Sequence, residues 1–161
     1  EALYGQIGAA ARQPVFYSDW NVPDTPLGRF EMLSLAMFLF QNRLHGEKGA
    51  PADVAQVLID EFFTDVEHSL RELGIGDMGV PKRMKRLAKM YYGRTATYAD
   101  ALERDEREAL AAALTRNVRP EDTHWPQAES LAAHAFRVRE ALALQPSGDI
   151  CAGRLSFPSA G

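Results

Sequence analysis

Two short runs place a carboxylate three residues ahead of a histidine: Asp65-Val66-Glu67-His68 and Glu121-Asp122-Thr123-His124. Set on facing helices with two further glutamates, that spacing builds a di-iron helical bundle. The first run sits in a strongly helical stretch. The second lies between Pro120 and Pro126, where a regular helix is not expected, so the two would not converge. A di-iron-type helical metalloenzyme is therefore kept only as the last alternative. Gly74-Ile75-Gly76-Asp77-Met78-Gly79 copies the glycine spacing of a dinucleotide-binding loop, but it follows a helix and no strand precedes it. Cys151, the single cysteine, has no histidine near it in sequence, and no G-x-S-x-G elbow occurs. His68 and His124 read as surface side chains. His45 reads as a capping residue at a helix end, and His134, among Leu131, Ala135 and Val138, as a satisfied, partly buried one. No catalytic, cofactor-binding or metal-ligating residue is assigned, no cofactor is expected, and the chain is read as a binding protein and not an enzyme.

The pattern with the most chemical content is cationic. Pro81 opens a helix whose first three turns carry Lys82, Arg83, Lys85, Arg86 and Lys89, and no acidic residue occurs from Met78 through Ala99. These charges repel one another and oppose the helix dipole, which favours anions at its N-terminus. At about 100° per residue, Met84, Leu87, Ala88, Tyr91, Thr95, Tyr98 and Leu102 gather on one side as the core face. Lys82, Arg86 and Lys89 project almost opposite. Tyr92 falls beside Lys85 on one flank, and Met90 lies near Arg83 and Arg94 on the other. One reading is a solvated face neutralised by acidic side chains of a neighbouring helix. The other is a surface that docks something negative: an acidic protein segment, anionic lipid head groups or ribosomal RNA. The candidate docking residues are Lys82, Arg83, Lys85, Arg86, Lys89, Met90, Tyr92 and Arg94, with Gly76 and Asp77 of the preceding connector.

Helical periodicity must position these groups, because no alternating strand pattern is present. A short helix spans 2–12, and Tyr17 to Asp24 is a loop. Thr25 is an N-cap with Pro26 at the first helical position of a helix to Leu44. Pro51 starts a third helix ending near Leu73, with Gly74 as its left-handed C-cap. Further helices run from Pro81 to Leu102, from Asp105 to Asn117, and from beyond Pro126 to Leu144. The expectation is all-α: one compact domain over residues 1–161 with about six helices and an irregular tail, 146–161, packing on the domain or leaving it. The helix at 26–44 is apolar almost all round. Phe30, Leu33, Met37, Phe40 and Leu44 form one stripe, and Met32, Leu35, Leu39 and Phe38 widen it. It is either the buried centre of the domain or a face reserved for a partner.

Bulk properties set the outer limits. The chain has 161 residues, 46% hydrophobic and 25% charged, the balance of a folded globular protein. A formal net charge of −4 weighs against a general nucleic-acid binder, and DNA is not an expected partner. The longest apolar run, Met32 to Phe40, interrupted only by Ser34, is far short of the roughly 20 residues needed to span a bilayer. The lone cysteine suits a reducing compartment. Starting at Glu1 without an initiator methionine, the chain reads as a fragment or a processed form.

The order Pro23-Asp24-Thr25, Gly28-Arg29-Phe30, Met32-Leu33, Leu70-Arg71-Glu72-Leu73-Gly74-Ile75-Gly76-Asp77, Lys82-Arg83-Met84-Lys85 and Tyr92-Gly93-Arg94 resembles the ubiquinol–cytochrome c chaperone family. The resemblance runs over about residues 3 to 157, including Leu110-Ala111-Ala112-Ala113-Leu114 and the tail near Phe157-Pro158. It implies a non-enzymatic assembly factor that binds newly made cytochrome b during biogenesis of ubiquinol–cytochrome c reductase. It also implies work alongside a small partner protein, near the ribosomal exit or the membrane surface. The chain looks like the bacterial branch, which places it in the cytoplasm at the inner membrane; a eukaryotic member would sit on the mitochondrial matrix side. In the family the apolar helix carries Leu-His where this chain has Leu35-Ala36, so no role of that histidine carries over. The runner-up function is a peripheral module reading anionic lipid through the basic helix. All five methionines, Met32, Met37, Met78, Met84 and Met90, belong to these segments, and methionine suits surfaces that adapt to varied partners.

Overall fold

Thr25 starts the helix around which the others assemble. Its extended backbone and its Oγ1, which accepts from the Gly28 amide at 3.1 Å, cap the helix Pro26–Leu44. The computed structural model describes residues 2–72 and 79–161. In chain order the helices are α1 (Ala2–Ala11), α2 (Pro14–Ser18), α3 (Pro26–Leu44), α4 (Ala50–Glu72), α5 (Val80–Glu103), α6 (Arg107–Val118), α7 (Ala128–Ala143) and α8 (Ser147–Cys151). The architecture is all-α, with no strand among the described residues.

α3 is the buried centre. Its apolar circumference is met by α1, α4, α5, α6 and α7, and Met32, Met37, Phe38 and Phe40 are almost wholly shut from solvent. The width of the apolar stripe thus reflects neighbours on nearly every side. Gly28 lets the chain turn back on this helix, because a Cβ there would stand 1.9 Å from the Pro23 carbonyl oxygen. At the other end Arg43 donates to the Leu142 and Gln145 carbonyls at 2.8 and 2.6 Å, fastening α3 to the end of α7.

Among the described residues, six of the eight helices coincide with the predicted ones to within a few residues; α2 and α8 are additional. Each extra helix has five residues and starts at or just after a proline, Pro14 and Pro146, where a missing amide costs nothing. Neither is long enough to leave a periodic signal. The tail beyond α8 packs on the domain. Gln145 exchanges two hydrogen bonds with Ser156, Gln13 Oε1 accepts from the Ala160 amide at 2.7 Å, and Leu155 is buried.

The position of α5 is set by an aromatic cluster. Phe62 of α4 lies 6.1 Å from Phe30 and 5.1 Å from Tyr91 between ring centroids, and Phe63 meets Tyr91 edge-on at 5.8 Å. These rings join α3, α4 and α5 through contacts that fix both distance and rotation. Tyr98 and Leu102 continue the buried side of α5 toward α6.

Candidate functional site

Rotation of α5 about its axis decides which residues face outward. Tyr91, Tyr98 and Leu102 are buried, and Met84, Leu87, Ala88 and Thr95 are half-buried, so the predicted core face is the packed one. Lys82, Arg83, Lys85, Arg86 and Lys89 are all exposed. Among the described residues none forms an ion pair with any of the five. Among the described residues the helix start offers no local compensation either. Gly79 occupies the N-cap without a side-chain hydrogen bond, and the first turn has no acid. Each cation near this terminus costs a few tenths of a kcal/mol against the dipole, and neighbouring like charges add similar amounts. Packing farther along the helix bears that cost.

Tyr92 is 56% exposed, although it is not loose. Its ring stands against Tyr91 at 5.3 Å and Phe63 at 6.0 Å, so one side rests on the aromatic cluster while the rest faces solvent. A large amphipathic ring already held in place loses little freedom on binding, the property of residues that dominate interfaces.

Two clefts flank the helix. On the Tyr92 side a cleft of about 600 Å³ runs between α5, α4 and the end of α3, floored by Phe38, Leu44 and Ile59. On the other side Met90 and Arg94 face Leu27, Val118 and Pro120 across a groove of about 410 Å³. α5 is therefore a ridge with a cationic crest.

Arg94 behaves differently from the other cations with which its helical position groups it. Its Nε–H donates to both Glu31 carboxylate oxygens, at 2.8 and 3.0 Å, and both side chains are largely covered. Burial pushes the Glu31 carboxyl above the ordinary carboxylate range, with Arg94 pulling the other way. The sequence carries a signal for this pair. Glu31 is the single acidic residue of the helix and lies within its apolar central stretch, and such a carboxylate needs a buried partner. Gly76 and Asp77 lie outside the described residues.

The carboxylate–histidine runs are spent elsewhere. Asp65 Oδ2 accepts from the Tyr4 hydroxyl at 2.7 Å, while Glu121 to His124 form a loop in which Asp122 pairs with Arg119. Among the described residues no three His, Cys, Asp or Glu side chains gather as a metal set. His134 is fully buried against Phe16 and Trp20, and its Nδ1 lacks a hydrogen-bond partner. This corrects the expectation of a satisfied, partly buried histidine: α2 covers it, and that helix left no periodic signal.

Fold and surface together define a class: an all-α protein that presents, between two clefts, a helix whose exposed cations have no ion-pair partner among the described residues. The chain belongs to the ubiquinol-cytochrome C chaperone family, whose model matches residues 18–157. It is similar at 52% identity to a chain described as the crystal structure of the Cbp3 homolog from Brucella abortus. That similarity covers 99% of this chain and 88% of the other, with a TM-score of 0.94. No curated protein matches the chain. Family and fold together support a chaperone role in assembly of the cytochrome bc complex.

Proposed function

We propose that the chain holds unassembled cytochrome b during biogenesis of ubiquinol–cytochrome c reductase, and that it does so by binding alone, without catalysis. The observation that carries this reading is the row of exposed cations on α5, unpaired among the described residues, beside the pre-positioned Tyr92. A membrane-protein client offers polar ends next to apolar segments. The cations suit the acidic groups of such ends, and the clefts on either side of the helix suit neighbouring apolar side chains. Among the described residues no helix is long and apolar enough to cross a membrane. In this reading the cations meet an embedded client at the membrane surface. In a bacterium that surface is the cytoplasmic face of the inner membrane.

The test is co-purification from cells of wild type and of a variant carrying Lys82→Glu, Arg83→Glu, Lys85→Glu and Arg86→Glu. These side chains are exposed, so the helical circular dichroism should be unchanged while recovered cytochrome b falls at least tenfold. Equal recovery removes the assignment.

A second reading rests on the same cations, which also suit anionic lipid at about 1 kcal/mol per charge near the surface. Flotation with phosphatidylglycerol vesicles separates the two. Strong, salt-sensitive flotation by a protein that recovers no cytochrome b favours lipid.

A further inference from the structure

Leu27 is 67% exposed in the first turn of a helix that is otherwise the buried centre of the molecule. It forms one lip of the groove whose other lip is Met90, with Val118 and Pro120 continuing the apolar lining. The polar floor is already satisfied. Glu31 and Arg94 are paired with each other, and Asn117 donates to the Tyr98 hydroxyl at 3.0 Å. On the rim Arg119 is taken by Asp122 and by the Asn21 carbonyl. The exposed Glu121 also lines the groove and would turn an acidic side chain away from it, whereas a bulky apolar side chain would cover Leu27 and Met90.

The charge lies just outside. On a regular helix Arg83, Arg86, Met90 and Arg94 fall within about 80° of one another, and Arg86 and Arg83 stand about 6 and 10 Å along the axis from Met90. Both arginines are exposed and unpaired among the described residues. The groove and the cations therefore form one strip: an apolar seat, then a guanidinium one turn away, then another two turns away.

We infer that the Leu27–Met90 groove seats a bulky apolar side chain of the client, whose acidic side chains lie along Arg86 and Arg83. The inference rests on the client-binding reading above and adds to it the chemistry and spacing of the bound segment. In a helical guest the carboxylates lie about four and seven residues from the anchor; in an extended one, where alternate side chains share a face, about two and four. Arginine can meet a carboxylate with two parallel hydrogen bonds, which adds geometric specificity to each of these contacts.

The experiment uses the full chain in cells, with a photo-activated benzoylphenylalanine at Leu27 and, as control, at Leu144, which is 85% exposed beyond the end of α7. Leu27→Asp is tested beside it; an acid in the first turn suits the helix dipole and should leave the unfolding midpoint unchanged. The expected result is a Leu27 crosslink to a cytochrome b peptide with carboxylates at the stated spacing, and none from Leu144. Leu27→Asp should lower cytochrome b recovery by about 5–10-fold, as for a central interface residue. Equal labelling from both positions, or labelling of lipid or of a second copy of the chain, overturns the inference. So does full recovery by Leu27→Asp while the charge-reversed variant loses the client, a result that leaves the chaperone reading standing. If wild type itself recovers no cytochrome b, that reading falls, and the inference falls with it.

Discussion

Arg94 of α5 and Glu31 of α3 form a largely buried ion pair at 2.8 Å, which ties the cationic helix to the centre of the fold. Removing one member leaves the other charged without its partner in a water-poor site, a loss larger than the pair's own net worth. Glu31→Ala and Arg94→Ala should each cost about 3 kcal/mol, the low end for a buried pair because Arg94 keeps some contact with solvent. The double change Glu31→Leu with Arg94→Met should recover most of that, because it leaves no buried charge without a partner and apolar side chains of similar volume take the place of the pair. Urea titration with an unchanged slope measures all three. Additive losses in the double variant would show that the pair is not coupled.

His134 makes stability depend on pH. Burial, reinforced by Arg137, pushes its imidazole down to about 4 from the usual 6.5. The unfolded chain takes up this proton first as acid is added. The contribution of the neutral ring is therefore intact above about pH 6.5 and is lost progressively as pH falls toward 4. Glu31, whose pKa is raised, works in the opposite sense, so the two must be separated by mutation. His134→Leu should lose less stability than wild type between pH 7 and 4.5, by on the order of 2 kcal/mol. Parallel midpoint-versus-pH curves for the two proteins would remove His134 as the cause.

Gly28→Ala should destabilise by about 3 kcal/mol or more, since the added methyl would meet backbone and not a movable side chain. Thr25→Ala, which removes only the cap, should cost about 1 kcal/mol. Thermal unfolding of the two variants ranks them. The reverse order would mean that the Pro23–Thr25 turn yields easily.

Tyr92→Ala should weaken client recovery about tenfold with little change in folding, since more than half of the ring faces solvent. Tyr91→Ala, by contrast, should unfold or strongly destabilise the chain, because that ring is buried in the aromatic cluster. Quantified cytochrome b recovery, with circular dichroism as the check on folding, distinguishes the roles of these adjacent tyrosines.

The long helices and the orientation of α5 were legible from the sequence because each follows from local periodicity. Tyr91 inward and Tyr92 outward is one example, and the capped start at Thr25-Pro26 is another. What periodicity cannot supply is pairing between helices. Arg94 shares a flank with Arg83 and Met90 on the helical wheel, yet its destination depends on where α3 brings Glu31. Leu27 likewise reads as one more apolar residue of a buried helix. Its exposure comes from sitting in the first turn, beside a groove that α5, α6 and the following loop create. The two five-residue helices were missed because neither completes two turns.

The most direct test of the outward cations is capture of purified cytochrome b in nanodiscs by wild type and by the fourfold charge-reversed variant, over salt from low to several hundred millimolar. Exposed charges are screened over roughly 10 Å at 0.1 M salt, so wild-type capture should weaken by an order of magnitude across the series. The variant should start weak and stay nearly flat. Wild-type capture indifferent to salt, and matched by the variant at every concentration, would contradict docking through Lys82, Arg83, Lys85 and Arg86.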